Sequence, residues 1–229
     1  MIICATDLET TGLDNENDLV TEIGAILWDT DLNAPVKFFN KLIKIDKPLP
    51  ELIVKLTGLT DELLNKFGEP AAKVWEEFAD FRGQGDPISM AHNAQFDRGF
   101  VNQIFSTNNE VWIDSAVDVP YPKEITTRKL IHLAAEHGFV NPFAHRAVTD
   151  VLTMCQVVSK YDWNKIIESA KTPTVNMIAL VFFENRELAK SAGFRWDGKN
   201  KLWTKPVKEN LIQAEVDKCS SLGFSIIRR

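Results

Sequence analysis

The chain lacks any apolar run close to the roughly 18–20 residues that span a bilayer, so no membrane partner is expected of its 229 residues. Its opening, Met1-Ile2-Ile3-Cys4, lacks a basic segment followed by a cleavage site, so no signal peptide is read. Cysteine is scarce: Cys4, Cys155 and Cys219 are odd in number and far apart. That excludes a disulfide framework and any zinc spacing, and leaves reduced thiols in a cytoplasmic protein as the expectation. Internal repeats and low-complexity tracts are also missing.

What is present is a globular composition, 45% hydrophobic and 25% charged, with an uneven charge distribution. The net charge is −6. Residues 171–229 hold 11 Lys and Arg against 6 Asp and Glu, or +5, which leaves 15 basic and 26 acidic residues, or −11, in residues 1–170. A basic tail on an acidic body predicts two modules, with boundaries at 1–170 and 174–229. The stretch Lys171-Thr172-Pro173-Thr174 reads as the linker.

In the first module three strands are predicted in succession: Ile2–Ala5 running into Asp7, Leu19–Trp28 and Val36–Ile45. Their short spacers imply an antiparallel meander. Short helices follow over Leu52–Leu56 and Asp61–Phe67, the second capped by Thr60, and then a longer one from Pro70 to about Arg82. From Pro87 onward strands and helices alternate: Ile88–Ala91, a helix through Phe96 and Ile104, Val111–Ile113, a helix around Leu133, and a long helix through Ala147 and Val158. Meander followed by alternation predicts an α/β fold, a mixed five-stranded sheet flanked by helices. The tail predicts a small α+β domain: strand Val175–Phe183, helix Glu184–Ala192, an Asp197-Gly198 hairpin, helix Asn210–Leu222 and strand Phe224–Ile227.

The chemistry gathers at a few positions. Asp7 and Glu9 alternate with Leu8 along a strand and therefore share a face. Two adjacent carboxylates repel, and a divalent cation between them would keep both ionised; alone, the pair is equally two solvated acids at a strand end. Asp97 falls in the first turn of a helix, where the dipole favours a carboxylate with or without further duty. Asp150 lies on the long helix among Ala147, Val151 and Met154, a costly place for an unpaired charge. Five residues turn a helix by about 500°, or about 140° net, so His145 cannot share a face with Asp150 if both are helical. His145 is therefore placed on the preceding loop, either as a surface residue or approaching a site from solvent. Four carboxylates and one histidine have a joint explanation in phosphodiester hydrolysis with two cations, the histidine accepting a proton from water.

The ordered set Asp7-x-Glu9-Thr10-Thr11-Gly12, His92-Asn93-Ala94-x-Phe96-Asp97 and His145-Arg146-Ala147-x-x-Asp150 resembles the three motifs of the DEDDh 3′–5′ exonucleases. Thr57-Gly58-Leu59-Thr60 and Trp112-Ile113-Asp114-Ser115 resemble further family segments, and the likeness spans roughly residues 1–160. The resemblance implies an RNase H-like fold and release of nucleoside 5′-monophosphates from a 3′ end, with single-stranded DNA the expected substrate. An RNA-trimming or oligonucleotide-degrading enzyme is the alternative within the class, and a nucleic-acid-binding module with a vestigial nuclease core the alternative outside it. It also implies Asp7, Glu9, Asp97 and Asp150 as ligands of two Mg²⁺ or Mn²⁺ ions, His145 as general base, and Leu8, Thr10 and Asn93 as contacts to substrate. Phe96 is expected in the core, His92 to be structural or else groove-lining, Glu22 not to be a ligand, and Arg146 to be a solvated or locally paired charge.

Within the tail, Gly193-Phe194-Arg195-Trp196-Asp197 and Lys201-Leu202-Trp203 resemble a small module attached to phage and plasmid DNA-processing proteins. Arg195, Lys199, Lys201 and Lys205 around Trp196 and Trp203 suit single-stranded nucleic acid, by phosphate attraction and stacking; the same tryptophans also suit the core of a small domain. Docking to a polymerase or another DNA-processing protein is the other role open to this module.

Overall fold

The computed structural model describes residues 1–83 and 87–229. Two compact units divide at Ala170 and Lys171. In the first unit, β1 (Ile2–Thr10), β2 (Val20–Asp29) and β3 (Ala34–Leu42) form the expected antiparallel meander. The short strands β4 (Ser89–Ala91) and β5 (Trp112–Asp114) add in parallel on the other edge of β1, giving the order β3-β2-β1-β4-β5. This is the mixed five-stranded sheet that strands followed by alternating helices predict.

The helices are α1 (Glu51–Thr57), α2 (Asp61–Phe67), α3 (Ala71–Arg82), α4 (Ala94–Ile104), α5 (Leu130–Glu136), α6 (Ala147–Val158) and α7 (Trp163–Lys171). Thr60 caps α2 as expected, its side chain accepting the Leu63 N–H at 3.2 Å. α1 closes on Gly58 at φ 71°, a left-handed turn that glycine adopts without strain. The third strand stops short of its predicted end: past Leu42, Ile43 still donates its N–H to Thr21 O, but its other edge bridges to Glu69, the segment just before α3.

Strand alternation sorts the core into two layers. The odd positions Ile3 and Ala5 join Ile26, Trp28, Val151, Met154 and Ile166 on the face covered by α5, α6 and α7. The even positions Cys4 and Leu8 join Ile23, Ala25, Phe39, Phe78, Phe100 and Val101 on the face of α3 and α4. Asp7 and Glu9 continue the odd series and so emerge on the α6 face, at the end of β1 where the apolar layer stops.

The second unit is a four-stranded antiparallel sheet, order β7-β8-β6-β9, built from β6 (Thr174–Leu180), β7 (Arg195–Asp197), β8 (Leu202–Lys208) and β9 (Ser225–Arg228) with α8 (Arg186–Ser191) and α9 (Ile212–Ser221). Its core is Val175, Met177, Ala189, Phe194, Val207, Cys219, Phe224 and Ile226. Two details depart from the expectation. β6 ends at Leu180, opposite Ser225, and Phe183 starts a 3₁₀ turn instead of ending a strand. The hairpin closes through four residues between the paired Asp197 and Leu202, with Lys201 at φ 55°. Asp197 Oδ1 receives the N–H groups of Lys199 and Asn200, so the aspartate organises a longer loop than an Asp-Gly turn needs. Among the described residues no helix is long and apolar enough to cross a membrane.

Candidate active site

Three elements deliver the five predicted residues. β1 supplies Asp7 and Glu9, α4 supplies Asp97, and α6 with the loop before it supplies Asp150 and His145. One ligand atom each from Glu9, His145 and Asp150 lies within 4.8 Å of the others. Asp7 is tied to the same centre electrostatically. Burial, then the charges of Asp97, Glu9, Asp150 and Glu22, hold its carboxyl well above the ordinary range.

Asp97 reaches the site from the other layer for a reason visible in the backbone. Cys4 donates its N–H to Ile88 O at the edge where β4 pairs. Leu8, four residues on, turns its N–H to the same edge, but β4 has ended at Ala91. Asp97 Oδ1 receives that N–H at 3.1 Å, so the carboxylate satisfies a donor that would otherwise be orphaned. Asp97 is 1% exposed, and burial raises its pKa well above normal despite that bond.

His145 and Asp150 are coupled through the main chain. The His145 N–H donates to Asp150 Oδ2 at 2.8 Å, and Asn141 Nδ2 donates to Oδ1. His145 has φ 63°, an uncommon conformation for a non-glycine residue, and the Asp150 carboxylate pins it. The histidine is thus on an exposed loop, outside the helix that carries Asp150, as the spacing requires. Burial raises Asp150, and burial, then Asp150 and Glu22, push Glu9 up to about 8.

Every carboxylate of the set is therefore raised. The nearby Arg146 guanidinium is committed to Glu22. Oxygen donors that are buried or half-buried, mutually repelling and short of cationic charge fit a divalent cation with a preference for hard ligands.

Sequence reasoning missed what holds α6 in place. Glu22, fully buried on β2, stands opposite Glu9 in register and takes Arg146 Nε at 3.0 Å and Nη2 at 2.9 Å, plus the Ala147 N–H at 3.3 Å. Arg146 is therefore the half-exposed partner of a fully buried carboxylate, where a solvated or merely local charge was expected. Gly24, opposite Asp7, lets the helix approach: a Cβ there would lie 2.2 Å from the Val148 nitrogen and 2.4 Å from the Ala147 carbonyl carbon. The signal was present in Thr21-Glu22-Ile23-Gly24, an acid and a glycine two apart inside an apolar strand. A second omission is Asp114. At the end of β5 it accepts the N–H groups of Asn93 and Ala94 and so caps α4 in place of Asn93, which is left-handed at φ 72°.

The remaining predicted positions sort as follows. Leu8 is 4% exposed, its side chain in the α3–α4 layer. Thr10 is buried and donates its hydroxyl to Gly12 O. Asn93 is exposed at the head of α4. His92 uses both ring nitrogens, on Ser115 Oγ at 2.8 Å and Arg128 O at 2.6 Å, and burial lowers its pKa. Phe96 stacks on Phe100 with centroids 5.1 Å apart. A cavity of about 630 Å³ in the same unit is lined by Leu19, Trp75, Phe100 and Phe105 and includes none of the five residues. In the second unit Trp196 and Trp203 face each other across β7 and β8, ring centroids 5.6 Å apart, with Trp196 54% exposed. Arg195 is exposed on β7, and Lys199 and Lys201 ride the hairpin loop, whereas Lys205 is half-buried and spent on Glu215 Oε1 at 2.6 Å and Ala192 O at 2.9 Å.

The exonuclease family of the RNase T type matches residues 4–158, and a domain of unknown function (DUF8626) matches residues 175–226. DNA polymerase III of the PolC type from Clostridium perfringens is 28% identical over 191 residues, covering 80% of this chain and 13% of the polymerase. The PolC-type polymerase of Bacillus subtilis is 36% identical over 106 residues, 46% of this chain and 7% of its own length. The chain thus spans a small part of these relatives. Among solved structures, a zinc-bound Escherichia coli exonuclease I–single-stranded DNA complex superposes with a TM-score of 0.66 at 15% identity, over 96% of this chain and 67% of its own. The nuclease domain of 3′hExo, a DEDDh family member bound to rAMP, gives 0.58 at 16%, over 69% and 90%. The shared fold is RNase H-like.

Proposed function

Because the chain belongs to the DEDDh 3′–5′ exonuclease family, we propose that it removes nucleoside 5′-monophosphates one at a time from the 3′ end of single-stranded DNA, with two divalent cations and His145 as general base. The observation that carries this reading is the convergence of Glu9, His145 and Asp150 to within 4.8 Å beside the electrostatically coupled Asp7 and Asp97. Asp7, Glu9 and Asp150 would hold one cation, and Asp7 with Asp97 the second. Mg²⁺ or Mn²⁺ held there supplies Lewis acidity and charge neutralisation at the phosphate.

The chain's own residues do the rest. Glu9, Asp97 and Asp150 are anchored to the sheet or to main-chain donors, so the anionic cluster is preorganised before substrate arrives. His145 stands on the solvent side of that cluster, where a ring nitrogen can take the proton of the attacking water. Thr10 spends its one proton on Gly12 O and keeps lone pairs, so its hydroxyl accepts from the terminal 3′-OH. Leu8 and Asn93 border the terminal nucleotide along β1 and the head of α4. Relatives that are DNA polymerases and a neighbour solved with single-stranded DNA support DNA as the polymer.

The test is a 5′-labelled oligonucleotide with a free 3′ end, incubated with Mg²⁺ or Mn²⁺. A ladder shortening from the 3′ end, lost in Asp7→Ala and in His145→Ala, is expected. Unchanged cleavage in both variants overturns the assignment. Parallel DNA and RNA strands decide the sugar, with faster loss of DNA expected.

A further inference from the structure

The second unit carries a feature that the exonuclease chemistry does not use. A cavity of about 550 Å³ opens on its surface, lined by Phe183, Arg186, Lys190, Arg195, Trp196 and Trp203 among others. That volume is in the range of pockets that hold small organic groups. Two of its rings are left in solvent, Phe183 at 75% and Trp196 at 54% exposure, and Phe182 beside them is 79% exposed. Exposed aromatic rings grouped together and rimmed by charged groups mark an interaction surface.

The rings are interleaved with cations. The Arg186 guanidinium lies 4.2 Å from the Phe183 centroid, and Lys190 and Arg195 line the same wall. Glu187 is the one acid among the described lining residues, against three cations. The unit as a whole carries +5, from 11 basic and 6 acidic residues, on a chain whose remainder is −11. A protein partner would have to bring its own acids to such a surface. A single strand brings one negative charge per nucleotide and a flat base to cover each ring.

From this, we infer that the cavity is a binding site for single-stranded nucleic acid, with bases stacked on Trp196 and Phe183 and phosphates held by Arg186, Lys190 and Arg195. Trp203 does different work: it packs on the unit's core and backs Trp196 at 5.6 Å, so the exposed ring is held ready. Lys199 and Lys201, on the hairpin loop, do not line the cavity, although the sequence placed them beside the tryptophans. The inference rests on the exonuclease reading only for the identity of the polymer. Covalent linkage to a nuclease would keep a strand captured here at high local concentration between cleavage events.

The experiment is fluorescence anisotropy of labelled dT20 with the full-length chain in EDTA, which separates binding from cleavage. Trp196→Ala and Phe183→Ala should each weaken binding about 5- to 150-fold, the range for loss of one stacked base. Lys190→Ala and Arg195→Ala should flatten the salt dependence, by about 0.7 in the log–log slope for each phosphate no longer neutralised. An abasic strand of equal length should bind the parent weakly and show no further loss in Trp196→Ala. Circular dichroism confirms that the variants fold, and the charge variants test the site without touching a ring. Unchanged dT20 affinity in both ring variants overturns the inference and leaves the rings as a protein-docking face; full affinity for the abasic strand also overturns it. The Trp196→Ala effect should persist in an Asp7→Ala background. If cleavage fails while that effect remains, only the catalytic assignment falls; if cleavage stands without it, only this site does.

Discussion

Replacing Arg146 by methionine should cost far more than replacing its partner. Glu22 is fully buried, and its carboxylate is satisfied by Arg146 Nε at 3.0 Å, Nη2 at 2.9 Å and the Ala147 N–H at 3.3 Å. Without the guanidinium, the buried charge keeps only the weakest of those donors. Breaking a buried pair from one side typically costs about 3–5 kcal/mol. Because the Arg146 side chain is 36% exposed, water enters the vacated space, and the lower end, about 3 kcal/mol, is expected. Glu22→Gln leaves an arginine that can turn to solvent and a shape-matched amide, so about 1 kcal/mol is expected. The double variant should be more stable than Arg146→Met alone, since the stranded charge is gone. Urea denaturation followed by circular dichroism measures all three. Arg146→Met should lower the melting temperature of the nuclease unit by about 6–12 °C, at about 2–4 °C per kcal/mol for a unit of this size. Cleavage should fall with it, because His145 is the residue before Arg146 and the pair sets where the loop meets the sheet. Equal losses for Arg146→Met and Glu22→Gln, or strict additivity in the double variant, would refute the reasoning.

Gly24→Ala should abolish cleavage and destabilise the nuclease unit by several kcal/mol, because its Cβ meets the Val148 and Ala147 backbone at 2.2 and 2.4 Å and pushes α6, with Asp150, off the sheet; near-parental activity and urea midpoint would contradict this. In chelator, stability should fall as pH rises from about 5 to 8, since Glu9 holds its proton up to about 8 when folded but releases it near 4.5 when unfolded, a difference of at most about 5 kcal/mol. Divalent cation should restore the loss and Glu9→Gln should flatten the profile, both read by thermal melts; a flat parental profile in chelator would count against the crowded carboxylates. Thr60→Ala should cost about 1 kcal/mol of stability through the lost cap on α2 while leaving cleavage intact; no change in the urea midpoint would show the cap to be idle.

The placement of the candidate site residues was legible because each owes its position to something local. Asp7 and Glu9 need only strand alternation, Asp97 a helix start, and His145 with Asp150 the break before a helix. Their supports were not legible because each depends on a distant segment. Arg146 meets Glu22 across 124 residues, and Leu8 meets Asp97 across 89. The first pairing requires the register of β2 against β1, and the loop from Thr11 to Leu19 is too long for turn geometry to specify it. A bulge between Glu9 and Thr10 then shifts that register by one residue. Once the register is known, Glu22 stands opposite Glu9 and Gly24 opposite Asp7, so the acid that anchors α6 and the gap that admits it both belong to the strand beside the one that carries Asp7 and Glu9. In the tail the same limit explains Phe183. An apolar run reads as continuous strand, but β6 ends where β9 ceases to pair with it, at Leu180 and Ser225. The rings beyond that point have no sheet to join. They stay at the surface instead, where Arg186 lies over Phe183, and it is this set of aromatic faces among cations that the proposed strand would cover.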